Sequence, residues 1–157
     1  MKIKKIIIGL LLLLLTNCGF EPIYSEKKLA SNFNFSIQKI DFLNESATNQ
    51  IIINKLDRYR NLKDKTKKLE LKINTSTDKI VASKNLKGET EVFTMEVTIN
   101  LEVSKNNNII EKRVFQENFN YKNKTNKFDL DEYEAKIKKN LVTRISNEII
   151  AYLYDVK

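Results

Sequence analysis

Residues 93–104 constrain the fold most, because apolar and polar side chains alternate there without interruption. The odd-numbered positions are all apolar: Phe93, Met95, Val97, Ile99, Leu101 and Val103. The even-numbered positions are all polar: Thr94, Glu96, Thr98, Asn100, Glu102 and Ser104. A period of two predicts a β-strand with one face in the core and the other in water.

A second strand is predicted to return alongside the first. Residues 106–108 are three asparagines, a residue type that tolerates the left-handed backbone of tight turns. Phe115, Phe119 and Tyr121 then share one parity, and polar residues lie between them. The two segments therefore predict an antiparallel hairpin with Phe115, Phe119 and Tyr121 on its buried face.

The first strand is predicted over residues 33–42. Its apolar positions change parity between Ile37 and Ile40. A β-bulge near Gln38 and Lys39 would keep both sets on one face, because a bulge adds one residue to a strand.

A helix and another strand are predicted before the hairpin. Residues 44–49 are rich in N-cap types, and the helix that follows is expected to end near Arg60. The next strand begins at Leu69, weakens through residues 74–78, and is followed by a turn at residues 84–88.

The last helix is predicted to begin at Asp129 or Asp131 as N-cap and to end near Tyr154, about 24 residues later. Its apolar stripe has helical spacing and consists of Leu130, Tyr133, Ile137, Leu141, Ile145, Ile149 and Leu153. The predicted fold class is α+β: a two-layer sandwich in the order β-α-β-β-β-α. Two amphipathic helices pack on one face of a four-stranded mixed sheet, forming a single domain over residues 33–157.

The N-terminus resembles a secretory signal. Lys2, Lys4 and Lys5 precede a short apolar run over residues 6–15, about half the roughly 20 residues that a membrane-spanning helix requires. An uncleaved anchor is the alternative. Removal of residues 1–17, which hold three lysines and no acid, would leave 140 residues with net charge +5. Residues 18–32 are then expected to form a tether.

Composition excludes several kinds of chemistry. The chain has no histidine and a single cysteine, so His/Cys zinc sites, Ser-His-Asp triads and intrachain disulfides are ruled out. Beyond the signal, only Gly19 and Gly88 are glycine, so no glycine-rich phosphate loop exists. Much of the usual enzyme chemistry is therefore excluded, and we expect no cofactor and no metal site.

Residues 15–18, LTNC, resemble a bacterial lipobox, which has an aliphatic residue three positions before a cysteine. The resemblance implies acylation of Cys18, cleavage before it, and a stable membrane anchor, since several acyl chains hold where one does not. Asn17 departs from the small residues usual at that position. The alternative is an unmodified thiol. Gly19, where aspartate tends to mean inner-membrane retention, implies transfer to the outer membrane.

Residues 18–24, CGFEPIY, resemble the mature start of the LPS-assembly lipoproteins (LptE-like), and residues 128–135 are similar to that family's C-terminal pattern. The resemblance implies a non-catalytic lipoprotein on the periplasmic side of the outer membrane. It further implies that the protein assists assembly of, and plugs, the LPS-export β-barrel, and takes part in delivering lipopolysaccharide to the cell surface.

Given this resemblance, two sets of residues are candidates for contacts to the barrel and to lipopolysaccharide. Glu96, Asn100 and Glu102 are candidate barrel contacts, because a plug must present polar groups to a polar lumen. Lys84 and Lys87 are candidate contacts to lipopolysaccharide phosphates. Lysines at 63, 65, 67 and 68 offer a second basic segment. The alternative for the first set is a sheet face that is simply exposed to solvent. The alternative for the lysines is that they are ordinary solvated side chains.

Three other functions compete with this interpretation. The chain could serve another envelope machine, as a secretin pilot or a peptidoglycan-linked scaffold. A secreted enzyme would have to use the acids Asp129, Asp131 and Glu132, which helix capping explains more simply. Nucleic-acid binding conflicts with export and with the modest charge of the mature chain.

Overall fold

The computed structural model describes residues 33–44 and 46–156. The signal peptide, the tether and Cys18 lie outside them. The elements, in chain order, are β1 (Phe35–Phe42), α1 (Ala47–Leu56), a 3-10 turn (Asp57–Tyr59), β2 (Lys67–Lys84), β3 (Thr90–Lys105), β4 (Asn108–Lys122) and α2 (Lys127–Asp155). This order and the four-stranded mixed sheet confirm the predicted α+β class.

The strands lie side by side in the order β1-β2-β3-β4. Strand β1 runs parallel to the first part of β2, and the other two pairs are antiparallel. Between Ile37 and Lys39 the register shifts, so Gln38 is the extra residue of the predicted bulge. The bulge keeps Phe35, Ile37, Ile40 and Phe42 on the helical side of the sheet.

One face of the sheet and both helices enclose the core. The strands contribute one parity, with Leu69, Leu71 and Ile73 on β2 packed beside Met95, Val97, Ile99, Leu101 and Val103 on β3. The long helix α2 contributes the predicted stripe, of which Ile145, Ile149 and Leu153 are fully buried. Burial of such side chains stabilises the fold by about 1.5–3 kcal/mol each.

Several sequence-based boundaries were wrong. The N-cap of α2 is Asn126, whose Oδ1 accepts from the Phe128 backbone N–H at 3.0 Å, and not Asp129 or Asp131. The helix is therefore 29 residues long, roughly 44 Å at 1.5 Å per residue. Helix α1 ends at Leu56, and a single 3-10 turn continues to Tyr59.

Two β-sheet details also differ from expectation. Strand β2 does not weaken at residues 74–78 but pairs with β3 through its whole length, because cross-strand hydrogen bonds compensate for poor local propensity.

Phe119 is 43% exposed, although Phe115 and Tyr121 on the same face are buried. Phe119 lies beside the groove between β4 and α2, where the helix does not cover it.

A hydrogen bond and an ion pair connect α2 to strands β2 and β4. Tyr121 Oη donates to Glu134 Oε1 at 2.8 Å, and Lys79 Nζ pairs with the same oxygen at 2.6 Å. Burial, together with the neighbouring Glu134 carboxylate, raises the pKa of Tyr121 well above its ordinary value. Lys79 Nζ also lies 4.1 Å from the centre of the Phe93 ring. These contacts join α2 to β2 and β4.

Candidate functional site

The uncovered face of the sheet is the candidate functional site. It is formed by the even-numbered residues of β2, β3 and β4, which point away from both helices. Glu96, Asn100 and Glu102 all lie on this face, as the alternation predicted. The pairing registers arrange the face into cross-strand rows, each row taking one residue from each strand.

The first row is ionic. Lys72, Glu102 and Lys112 are cross-strand partners, and Lys112 Nζ lies 2.8 Å from Glu102 Oε2. The hydrogen bond from Lys112, with a smaller contribution from Lys72, lowers the pKa of the Glu102 carboxyl below its ordinary value. Asp41 on β1 is the cross-strand partner of Lys72 on the other side. Across all four strands the row therefore carries two ammonium groups and two carboxylates, and it has no net charge.

The next two rows are neutral. One consists of Asn74, Asn100 and Val114, and the other of Ser76, Thr98 and Gln116. Together with the ionic row, Asn74, Asn100 and Val114 line a shallow depression of about 380 Å³, and exposed Leu43 lies at its edge. Amides and hydroxyls can donate and accept hydrogen bonds without fixing a charge on the partner.

The fourth row is acidic. Asp78 on β2 is the direct cross-strand partner of Glu96 on β3, and Asn118 on β4 completes the row. Directly opposed side chains in antiparallel strands have Cβ atoms about 4.5–5.5 Å apart, and like charges at that separation destabilise the pair. Asp78 and Glu96 therefore place two carboxylates side by side on the open face.

The hairpin between β2 and β3 forms a second candidate region. Asn85 organises its turn, because Asn85 Oδ1 accepts from the backbone N–H groups of Lys87 and Glu89. Gly88 has φ +81°, a conformation that L side chains rarely adopt. Lys84 and Lys87 are exposed here, and the side chain of Leu86 is fully exposed between them.

The sequence-predicted residues thus fall in two separate places. Asn100 and Glu102 are neighbours in the depression, and Glu96 lies two rows further along β3. Lys84 is twelve residues along β2 from Lys72, about 40 Å away at 3.3 Å per residue. Cys18 lies outside the described residues, so its acylation stays a prediction.

The β2 side of the face is not evident from the sequence. Lys72, Asn74 and Asp78 are identified as part of this face only by their pairing with residues of β3. The alternation of β3 gives the parity of that strand alone. The residues that sit opposite are determined by the pairing register, which the sequence does not give directly.

The described residues contain neither a metal-binding group of three or more histidine, cysteine or acidic residues nor a helix long and apolar enough to cross a membrane.

The sequence matches no family model and no curated protein. Solved structures, by contrast, share the fold. Rare lipoprotein B of Shewanella oneidensis aligns with a TM-score of 0.61 at 8% identity, over 76% of this chain and 95% of the other. A minor lipoprotein of Acinetobacter baumannii aligns with a TM-score of 0.60 at 9% identity, over 76% and 91%. Lipoprotein B of Nitrosomonas europaea aligns with a TM-score of 0.53 at 9% identity, over 74% and 81%.

These alignments cover nearly the whole length of the first two structures. The chain therefore has the fold of solved bacterial lipoproteins. At identities of 8–9% the likeness concerns the backbone arrangement alone, because so few side chains are shared.

Proposed function

We propose that this protein is an outer-membrane lipoprotein, held on the periplasmic face by acylated Cys18. It assists assembly of, and plugs, a β-barrel that exports lipopolysaccharide. It acts by binding and not by catalysis. The observation that carries this proposal is the combination of the LTNC lipobox and the CGFEPIY start with a fold otherwise seen in bacterial lipoproteins.

The distribution of polarity supports the plug role. Both helices pack on one face of the sheet, and the other face presents mainly amides, hydroxyls and charges along three strands, together with the exposed side chains of Ile80 and Val114. A barrel lumen is lined by polar side chains, so a mainly polar sheet face can form hydrogen bonds and ion pairs with it. Glu96, Asn100 and Glu102 are the proposed contacts on β3.

The hairpin turn is the proposed lipopolysaccharide contact. Lys84 and Lys87 are exposed, and ammonium groups form charge-assisted hydrogen bonds with phosphate oxygens. Leu86 between them can contact acyl chains, because its side chain has no cover from the rest of the described domain.

Two measurements test the proposal. Labelling with a fatty-acid analogue should mark the wild-type chain and not Cys18→Ser. Mass spectrometry of proteins that co-purify with the lipidated chain from outer membrane should identify the lipopolysaccharide-export barrel. An unlabelled wild-type chain would contradict the anchor, and recovery of a secretin or a peptidoglycan-binding complex instead would favour the competing accessory role.

A further inference from the structure

A cleft between β4 and the C-terminal part of α2 has no role in the proposed function. Its volume is about 760 Å³, and its lining residues belong to β4, to α2 and to the C-cap residue Val156. The floor is apolar: the rings of Phe115 and Tyr152 meet edge to face with their centres 5.8 Å apart, and Ala151 lines the same cleft. A further segment of chain with apolar side chains can therefore pack on this floor.

The side chains around this floor are mainly acidic. Glu111 accepts from Tyr152 Oη at 3.3 Å, and the guanidinium of Arg113 lies over the rings of Phe115 and Tyr152. The charged residues among the described residues that line the cleft are Arg113, Glu111, Glu148 and Asp155. Three carboxylates and one guanidinium give the cleft a net charge of −2.

Two of these acids, Glu148 and Asp155, are exposed near the C-terminal end of α2. Within residues 33–44 and 46–156, neither takes part in an ion pair or a side-chain hydrogen bond. The negative end of a helix dipole favours cations, yet the last turn of α2 contains no basic residue. Lys67 of β2 donates to the Tyr154 carbonyl at 2.9 Å but pairs with neither acid. This end of the helix can therefore accept further positive charge.

The N-terminal segment joins the domain beside this end of α2. The ring of Phe33, the first described residue, packs against Tyr154 with the ring centres 5.7 Å apart. Tyr154 directly precedes Asp155 and Val156, which line the cleft. Residues 18–32 therefore start from a point next to the cleft.

The sequence of that segment is complementary to the cleft. Residues 23–28, IYSEKK, contain two apolar residues followed by one acid and two lysines, so their net charge is +1. Lys28 is five residues before Phe33, and five extended residues span about 17 Å, more than the diameter of a helix, which is roughly 10–12 Å. The segment is thus long enough to cross the end of α2 and to enter the cleft.

The lengths of the segment and of the cleft also agree. Four residues separate Tyr24 from Lys28, about 13 Å in an extended chain. The α2 side of the cleft runs from Glu148 to Val156, about 12 Å at 1.5 Å per residue. If Lys28 lies at Asp155, Tyr24 therefore lies within the cleft.

We propose that residues 23–28 of the same chain occupy the cleft. The apolar pair Ile23 and Tyr24 packs on the aromatic floor, and the two lysines pair with the two exposed acids of α2. Cys18 is five residues before Ile23, so it stays within about 17 Å of the cleft, at the end of the sheet opposite the turn at residues 84–88. The inference concerns a contact within the chain and does not depend on the barrel partner.

Disulfide formation between introduced cysteines tests the contact, because a disulfide forms only where the two Cα atoms come within about 7 Å. The full-length chain carries Ile23→Cys with Ala151→Cys as the test pair, and Ile23→Cys with Lys136→Cys as the control pair. Ala151 and Lys136 are both exposed on α2, and Lys136 lines the groove beside Phe119, about 22 Å away along the helix. Cell envelopes are oxidised with copper phenanthroline, and mass spectrometry measures the fraction of chains that contain the intramolecular disulfide.

We expect the test pair to form at least about fivefold more disulfide than the control pair, because docking raises the effective concentration of the two thiols. Adding Lys27→Glu with Lys28→Glu should lower the yield of the test pair about threefold, as expected for the loss of two exposed ion pairs. The matched change Lys138→Glu with Lys139→Glu, elsewhere on α2, should leave that yield unchanged.

Equal yields from the two pairs, or no disulfide in the test pair, would overturn the inference and leave the proposed function intact. An unchanged yield after charge reversal at Lys27 and Lys28 would overturn it as well, because the contact would not depend on their charge. Ala151→Cys alone is measured as the blank. A disulfide from it to Cys18 would contradict acylation, and so the proposed function, but not this contact.

Discussion

Asn44 shows how one side chain can end a strand without leaving its neighbour unpaired. Strand β1 stops at Phe42, where β2 continues alone on that side. The Asn44 side-chain amide then takes the place of a peptide group. Its Nδ2 donates to the Thr75 carbonyl at 2.6 Å, and its Oδ1 accepts from the Thr75 backbone N–H at 3.1 Å. The backbone of buried Thr75 is therefore satisfied.

Asn44 also belongs to a small buried cluster of polar side chains at the start of α1. Thr75 Oγ1 donates to Asn49 Oδ1 at 3.1 Å and accepts from Thr48 Oγ1 at 3.2 Å. Asn49 Nδ2 donates in turn to the Asn44 carbonyl at 2.7 Å. The start of α1 is thus held to β2 by polar contacts and not only by apolar packing.

Replacing Asn44 with alanine should lower the free energy of unfolding by about 1–3 kcal/mol, because buried groups of Thr75 lose their partners. Urea unfolding followed by circular dichroism measures the loss. Asn54→Ala is the matched control: Asn54 is exposed on α1, so its replacement should change the free energy by less than about 0.5 kcal/mol. Equal effects of the two substitutions would show that the Asn44 amide does not stabilise the sheet.

At the scale of elements, α2 illustrates why capping residues are hard to locate. Asn126, Asp129 and Asp131 are all good N-cap types within six residues. The polar loop after β4 brings the backbone into the helix at Lys127, so Asn126 holds the cap position. Asp129 then lies in the first turn, where the positive end of the helix dipole favours a carboxylate.

Asn126→Ala should destabilise the domain by about 1 kcal/mol, since the Phe128 backbone N–H loses its acceptor. Asp131→Ala, at one of the two N-cap positions that the sequence predicted, should cost less than about 0.5 kcal/mol. Chemical denaturation of both variants gives the comparison directly. A larger loss for Asp131 than for Asn126 would place the start of α2 further along the chain.

At the scale of the whole molecule, two proposed contact regions lie apart. The open sheet face carries the barrel candidates, and the hairpin turn carries Lys84 and Lys87. The separation allows each region to bind without obstructing the other. It also means that mutations in one region should leave the other's binding intact.

Joint replacement of Lys84 and Lys87 by glutamate should weaken lipopolysaccharide binding about three- to tenfold, as expected for two exposed ion pairs. Titration of the full-length chain with lipopolysaccharide in detergent provides the affinity. Lys138→Glu with Lys139→Glu, on α2, makes the same charge change in the helical layer and should retain wild-type affinity. Equal losses in the two variants would indicate a non-specific effect of net charge.

Local patterns in the sequence determined most of the fold. The alternation in β3 set which side chains meet the core, the parity change between Ile37 and Ile40 located the bulge, and the asparagines at 106 and 107 marked a turn where both adopt positive φ. The apolar stripe of α2 likewise gave a helix and its buried face. Each of these features depends on residues within a few positions of one another, so the sequence alone contains them.

Pairing between distant segments was decided only by the tertiary structure. No local pattern requires Asp78 to face Glu96, or Lys72 to complete a row with Glu102 and Lys112. Those partners depend on the bulges and turns that set the register, and a shift of one residue would turn every side chain of a strand to the opposite face. The sequence therefore determined which faces are polar, whereas the folded sheet determined which charges stand together on them.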